Sequence, residues 1–396
     1  MKSEIKEMVS ILKEGVDARD VLKGIALSGS QEEAFFVMDV GEIIKQYETW
    51  TKMLPRVKPF YAVKCNDSQV VLQIMAALGA NFDCASKGEI NKVLDLGVTA
   101  DRIIFANPAK IRSHISYAAK AGVDMVTFDS ISELNKIKEF HPNAKLVLRI
   151  AADSYDSQCP AMSLKFGVDP EKEAYPLLKE AVAMGLNVVG ISFHVGSGCR
   201  EVEAFGRALA FAAGLFIRAQ DGLGLRMSIL DIGGGFQMNN FEKTCATINR
   251  ALGEYFEDDL ELEIIAEPGR FMVASAYTLA TQVCYVSKIH SMRVNSNQTM
   301  LYINDGVYGS FNCLLFDHAS VTPIPLKVIH EVAQNVYRTN FIPSKMNLLI
   351  ALLKRCLNIG DWILFESMGA YTIPTSTNFN GFAPPKIHHI CDFNNW

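Results

Sequence analysis

The chain is short of several things, and each shortage closes off a class of function. Its nine cysteines are dispersed with no Cys-x-x-Cys spacing, which argues against a disulfide framework and against a zinc site. Dispersed, reduced thiols point to a cytoplasmic protein. Charge of one sign is not in excess: 38 Lys and Arg face 43 Asp and Glu, a net charge of −5. Neither nucleic acid nor an anionic membrane surface is then an expected partner. Apolar runs are too short to span a bilayer, and the first fifteen residues carry acids without a long apolar core, unlike a secretory leader. No Gly-x-Gly-x-x-Gly follows an early strand, so a dinucleotide fold has little support. No repeat other than a strand–helix rhythm is present, and no low-complexity tract.

What is present is that rhythm. Residues 1–33 read as a helix and a polar connector, 34–38 as a short buried strand and 43–53 as a helix. Then VKPFYAVK, NFDCAS, RIIFANP, MVTFDS, KLVLRIAA, VVGISFHVG, SILDIGGG and LEIIAEPGR form eight apolar, β-branched or aromatic runs. Segments of helical period separate them, among them 68–78, 87–96 and 204–219. Continuous apolar strands alternating with helices make a parallel sheet covered by helices, and eight units are the count of a TIM (β/α)8 barrel. A doubly wound open sheet is the runner-up. After about residue 275 the rhythm gives way to strands without comparable helices, which reads as a C-terminal antiparallel β-domain that also takes the N-terminal strand. The expected division is a barrel over 41–274 and a β-domain from 1–40 and 275–396. Residues 319–359 read as irregular, with a helix at 347–356.

In such a barrel the chemistry sits at the C-terminal ends of the strands. Those ends, in order, are Lys64, Asp83, Asn107, Asp129, Arg149, His194, Asp231 with Gly233-Gly234-Gly235, and Glu267 with Gly269-Arg270. A core-only barrel has no use for so many polar tips. Each alone has an ordinary explanation: a lysine leaving the core, a tight glycine turn, a helix cap at Asp83, a satisfied core histidine. Together they suit one cofactor. Lys64 can form a Schiff base with an aldehyde. Gly233–Gly235 can close backbone N–H groups around a phosphate, with Arg270 offering a fork of donors. Glu267 can hold a proton on a pyridine nitrogen, His194 can lie on the ring, and Asp83 can polarise Lys64 or the ring nitrogen. That set describes a pyridoxal phosphate site.

PFYAVKCN, FDCASKGE, FANPAK, LVLRI, FHVGSGC, DIGGGF, AEPGR, NDGVYGSFNC and GDWILFESMGAYT resemble the eukaryotic ornithine decarboxylase family, which includes the antizyme inhibitors, over most of the chain. The resemblance implies a barrel plus β-domain, pyridoxal phosphate as cofactor, a homodimer with sites at its interface, and release of CO2 from a basic amino acid. It implies roles where positions match. Lys64 is the Schiff-base lysine, Glu267 the ring-nitrogen partner and His194 the stacking ring, with Asp83, Glu89 and Arg149 beside it. Ser197, Gly233, Gly234, Gly235, Gly269, Arg270 and Tyr371 hold the phosphate end. Asp317 faces the substrate's distal amine and Phe379 lines the pocket.

The departures matter as much. The family carries a Trp-Gly-Pro-x-Cys-Asp-Gly stretch whose Cys protonates the decarboxylated carbanion and whose Asp reaches the distal amine across the dimer. Here the register counted back from Cys356 places Met346 at the Cys and Asn347 at the Asp, and Phe316 stands where a tyrosine is usual. A thioether cannot donate a proton, and an amide carries no charge. Three functions stay open: a decarboxylase of ornithine in polyamine synthesis, a decarboxylase of a neutral amino acid such as leucine, and a non-catalytic relative that binds antizyme. Residues 117–145, with Lys120 and Lys145, correspond to the family's antizyme-contact region. They can equally be a solvated face.

Overall fold

The computed structural model describes residues 9–152, 154, 156–158, 165–256, 261–288, 299–326, 342–343, 349–352 and 357–392. The chain divides into two compact units, Gln46–Met272 and Met1–Lys45 with Val273–Trp396. The strands are β1 (Val9–Leu12), β2 (Phe35–Asp39), β3 (Val57–Ala62), β4 (Asn81–Cys84), β5 (Ile103–Phe105), β6 (Met125–Phe128), β7 (Lys145–Arg149), β8 (Asn187–Ser192), β9 (Ile229–Asp231) and β10 (Glu263–Ala266). They continue with β11 (Tyr277–Lys288), β12 (Thr299–Ile303), β13 (Pro323–Pro325), β14 (Ile342–Pro343), β15 (Leu349–Leu352), β16 (Trp362–Phe365) and β17 (Lys386–Asp392).

In the first unit β3 to β10 close into an eight-stranded parallel barrel, with β10 hydrogen-bonded back to β3. The eight runs read from the sequence are these eight strands. The helices between them have recognisable ends. Ser68, Ser86 and Ser130 cap their helices by accepting from the N–H groups of Val71, Glu89 and Glu133. Gly79, Gly122 and Gly224 end theirs in the left-handed conformation.

Strand parity sorts the barrel's residues. Phe60, Ile104, Ala106, Val147, Ile229 and Ile265 pack together as one apolar cluster. Residues two further along a strand point the same way. Two beyond Val147, Ile229 and Ile265 come Arg149, Asp231 and Glu267, and the register sets Asp83 beside Ile104. The apolar filling therefore stops abruptly under a layer of charge at the C-terminal ends. On the outside, Phe82, Phe105, Phe128 and Leu230 are fully buried under the helices. Burying one such aromatic contributes roughly 1.5–3 kcal/mol.

The second unit is a nine-stranded sheet in which β11 is the hub. β2 lies antiparallel on β11, so the N-terminal strand does join the C-terminal sheet. β11 also pairs antiparallel with β12 and β16. The sheet is mixed, because β17 runs parallel to both β1 and β2. Its core includes Phe35, Val37, Ala280, Trp362 and Leu364, with the helix Ala18–Ala26 contributing Leu22 and Ala26. Two details differ from the sequence reading. A strand, Val9–Leu12, precedes that first helix. Where a helix was expected over 347–356, Leu349–Leu352 is a strand paired with β12. A six-residue apolar run, 348–353, is too short to show a helical period, and a neighbouring strand with open backbone groups decides it.

Candidate active site

The barrel's C-terminal end brings together Lys64, Asp83, Arg149, His194, Asp231, the Gly233–Gly235 loop, Glu267 and Arg270. Lys64 follows β3 on a single 3-10 turn, Val63–Cys65, and its amine is ion-paired with the Oδ2 of Asp83 at the end of β4. The Lys64 side chain is 39% exposed and that of Asp83 is 0% exposed. Asp83 leaves its other oxygen, Oδ1, buried without a hydrogen-bond partner among the described residues. Glu89, one turn into the next helix, accepts the Ala85 N–H at 2.5 Å, and burial raises its carboxyl above the usual range. The helix cap beside Asp83 is Ser86, so Asp83 is left to the site.

His194 lies just beyond β8. Its Nδ1 accepts the Gly196 N–H at 2.9 Å, so a proton on the neutral ring sits on Nε2. Burial, then the charges of Arg149 and Lys64, hold the imidazole well below its ordinary pKa. The ring is a neutral aromatic surface, which suits stacking. The glycine loop closes against it. A Cβ on Gly234 would come within 2.8 Å of His194 Nε2 and 2.9 Å of the Glu267 carbonyl. Gly233 adopts φ +62°, and a Cβ there would meet the Phe193 carbonyl at 2.0 Å. Backbone bonds from Glu267 N–H to Gly233 O at 2.7 Å and from Cys199 N–H to Gly235 O at 3.1 Å fix the loop on both sides. Phe236 anchors it, with its ring 4.7 Å from Trp50 and 5.0 Å from Phe205. Opposite the glycines, Arg270 Nη2 donates to Ser197 Oγ at 3.0 Å. Gly269 packs on Cys65, where a Cβ would lie 2.8 Å from that side chain.

Two cations, Lys64 and Arg149, act on Glu267 against two other acids, Asp231 and Asp83. Burial first, then those acids, push the Glu267 carboxyl well above the ordinary range, which favours its protonated form. A protonated acid at this depth can donate to a ring nitrogen.

Asn107 and Asp129 serve the backbone: Asn107 Nδ2 donates to Ala85 O at 3.2 Å, and Asp129 Oδ2 accepts from Gly167 N–H at 3.0 Å. Tyr371, Phe316, Asp317 and Phe379 belong to the second unit. There Asp317 is buried, Phe316 is 70% exposed, Phe379 stacks on Tyr308 at 4.3 Å, and Tyr371 takes φ +55°. Met346 and Asn347 lie outside the described residues. The sequence reading missed Lys110, buried after β5 and ion-paired to Glu133 at 2.9 Å. It also gave Asp231 no role beyond marking a strand end.

A family model described as the pyridoxal-dependent decarboxylase, pyridoxal binding domain, matches residues 40–274. The chain is 46% identical over 399 residues to antizyme inhibitor 2 of Xenopus laevis, covering 96% of this chain and 86% of that one. It is 44% identical over 406 residues to ornithine decarboxylase of Mus musculus, covering 98% and 87%. Among solved structures, the Paramecium bursaria Chlorella virus arginine decarboxylase bound to agmatine aligns with a TM-score of 0.84 at 36% identity, over 94% of this chain and all of the other. The fold and site define a pyridoxal phosphate-dependent carboxy-lyase. The chain belongs to the ornithine decarboxylase and antizyme inhibitor family within that class. The residues present fit the cofactor: Lys64 offers an amine beside the glycine loop and the Arg270–Ser197 pair, and Asp83 presents a buried oxygen with no hydrogen-bond partner among the described residues.

Proposed function

We propose that this chain is an active amino-acid decarboxylase resembling ornithine decarboxylase, turning L-ornithine to putrescine in polyamine synthesis. The carrying observation is the intact charged layer: Lys64 paired with Asp83, beside a Glu267 carboxyl pushed well above its ordinary range and a His194 held well below its own. A chain with no cofactor to hold has no use for that costly burial of charge. Pyridoxal phosphate, when bound, supplies the electron sink for loss of the carboxylate. Lys64 would hold its aldehyde, Glu267 its ring nitrogen and His194 its face. Asp83, Glu89 and Arg149 would set the local charge. Ser197, Gly233, Gly234, Gly235, Gly269, Arg270 and Tyr371 would take the phosphate. Asp317, a buried acid in the second unit, would face the distal amine, with Phe316 and Phe379 nearby. We further propose a cytoplasmic homodimer, for which the exposed Leu315 and Phe316 offer apolar surface.

Met346 and Asn347 favour two other readings. An amide at 347 weakens selection for a second ammonium and admits a neutral substrate such as leucine. Loss of the protonating cysteine, with 46% identity to an antizyme inhibitor, favours a regulator that binds antizyme. One set of measurements separates the three. The purified protein is examined for the absorbance of bound cofactor and for CO2 release from ornithine, lysine and leucine, and it is tested for antizyme capture. Release from ornithine supports the first reading and release from leucine alone the second. Bound cofactor with no release, plus antizyme capture, supports the third. A colourless protein indifferent to added cofactor would defeat the enzymatic reading.

A further inference from the structure

Asp231 has no part in the reading above, yet it is as deeply buried as any acid among the described residues. It ends β9 at 0% exposure, and its Oδ1 accepts the Gly233 N–H at 2.9 Å. β9 and β10 are adjacent, with Asp231 level with Ile265, so Asp231 and Glu267 share the inward face of neighbouring strands. Each carboxyl shifts the other. Two such carboxyls can hydrogen-bond to one another only when one of them carries a proton. The other oxygen of Asp231, Oδ2, is buried with no hydrogen-bond partner among the described residues.

The surrounding charge agrees. From β4 comes Asp83, from the turn after β3 Lys64, and from β7 Arg149. Glu89 faces Asp83 and Lys64 from the following helix, and His194 is neutral. With Asp83, Asp231 and Glu267 all ionised, those three negative charges, Glu89 aside, would outnumber the two positive ones, and retaining one proton removes the excess among the three.

We propose that Asp231 is a positioning residue that shares one proton with Glu267 and keeps it on the Glu267 carboxyl. The ring-nitrogen partner is thereby loaded as a proton donor before any cofactor arrives. Asp231 is the better place for the negative charge, because the Gly233 N–H stabilises it there. In keeping with this, burial raises Asp231 only to about 6 and raises Glu267 well above its ordinary value. The use of that proton rests on Glu267 being the ring-nitrogen partner; the sharing itself does not.

The test begins with the apoprotein, 13C-labelled at side-chain carboxyls, with the Glu267 signal identified by its loss in Glu267→Gln. Wild-type Glu267 is expected to titrate in two coupled steps with its main midpoint above the carboxylate range. In Asp231→Asn, which preserves shape and an acceptor for Gly233, it should titrate in one step about one pH unit lower, a tenfold change in proton affinity. An unchanged Glu267 curve overturns the proposal. Should Asp231→Asn fail to fold, Glu267→Gln gives the reciprocal reading: the Asp231 signal collapses from two steps to one, and persistence of two steps overturns it. A second measurement compares binding of pyridoxal 5′-phosphate with that of its analogue in which ring C–H replaces nitrogen. Asp231→Asn should weaken the first about tenfold and leave the second unchanged. Equal losses on both would mean that Asp231 only shapes the loop. If wild-type protein binds neither compound, the cofactor reading fails, and the carboxyl titration still decides the shared proton.

Discussion

The barrel holds two clusters of buried charge, and they are finished differently. Around Lys110 every donor is used. Its ammonium reaches Glu133 at 2.9 Å, Asn107 O at 3.0 Å and Thr127 O at 2.5 Å. Glu133 in turn meets Lys136 at 2.5 Å and the Lys110 N–H at 3.2 Å. At the strand ends the acids outnumber the cations, Asp83 Oδ1 has no partner among the described residues, and Glu267 is pushed well above its ordinary range. A satisfied cluster rigidifies the fold; an unsatisfied one of equal burial is held for a ligand. The Lys110 cluster therefore reads as a pin between the loops after β5 and β6, and the other as chemistry.

The sharpest break between the two is Lys64→Ala. It should abolish cofactor absorbance and lower CO2 release by more than about a hundredfold, whereas Lys110→Met should leave turnover per folded molecule near wild type. Glu133→Ala, next in size, strands the Lys110 ammonium in the interior and should cost about 3–5 kcal/mol in urea unfolding of the apoprotein. A loss under 1 kcal/mol would show that the triad is not the pin described here. Gly234→Ala pushes against His194 and should cost about 1–3 kcal/mol from overpacking. It should also weaken cofactor binding, read by equilibrium dialysis; unchanged affinity would remove the glycine loop from the site.

The smallest effect is in pH. Burial lowers Lys110 from 10.5 to about 8. Between those values the unfolded chain binds the proton and the folded chain does not. Stability attributable to Lys110 should therefore rise as pH climbs from 8 to 10.5. The check is the slope of unfolding free energy against pH in wild type minus that in Lys110→Met. A difference of zero or of opposite sign would place the ammonium in a wetter setting.

The two clusters also differ in how far the sequence announces them. Lys64, Asp83, Arg149 and Glu267 each end an apolar run, so strand parity and the rule that barrel chemistry sits at strand ends find them without a structure. Lys110 and Glu133 are 23 residues apart, on different strand–helix units, and nothing local links them. Glu133 reads as an ordinary first-turn acid after a serine cap, and Lys110 as a surface lysine. Asp231 was visible as a strand end, but its partner 36 residues away comes beside it only because β9 and β10 pair.

The order of apolar runs and polar tips determined the barrel, its eight strands and most of the charged layer, because alternation along a strand is a local property that survives any folding partner. Which acids share a proton, which lysine is fully bonded, and that 349–352 is a strand were decided by the tertiary structure. Pairing between strands, burial and the balance of neighbouring charges exist only once distant segments meet.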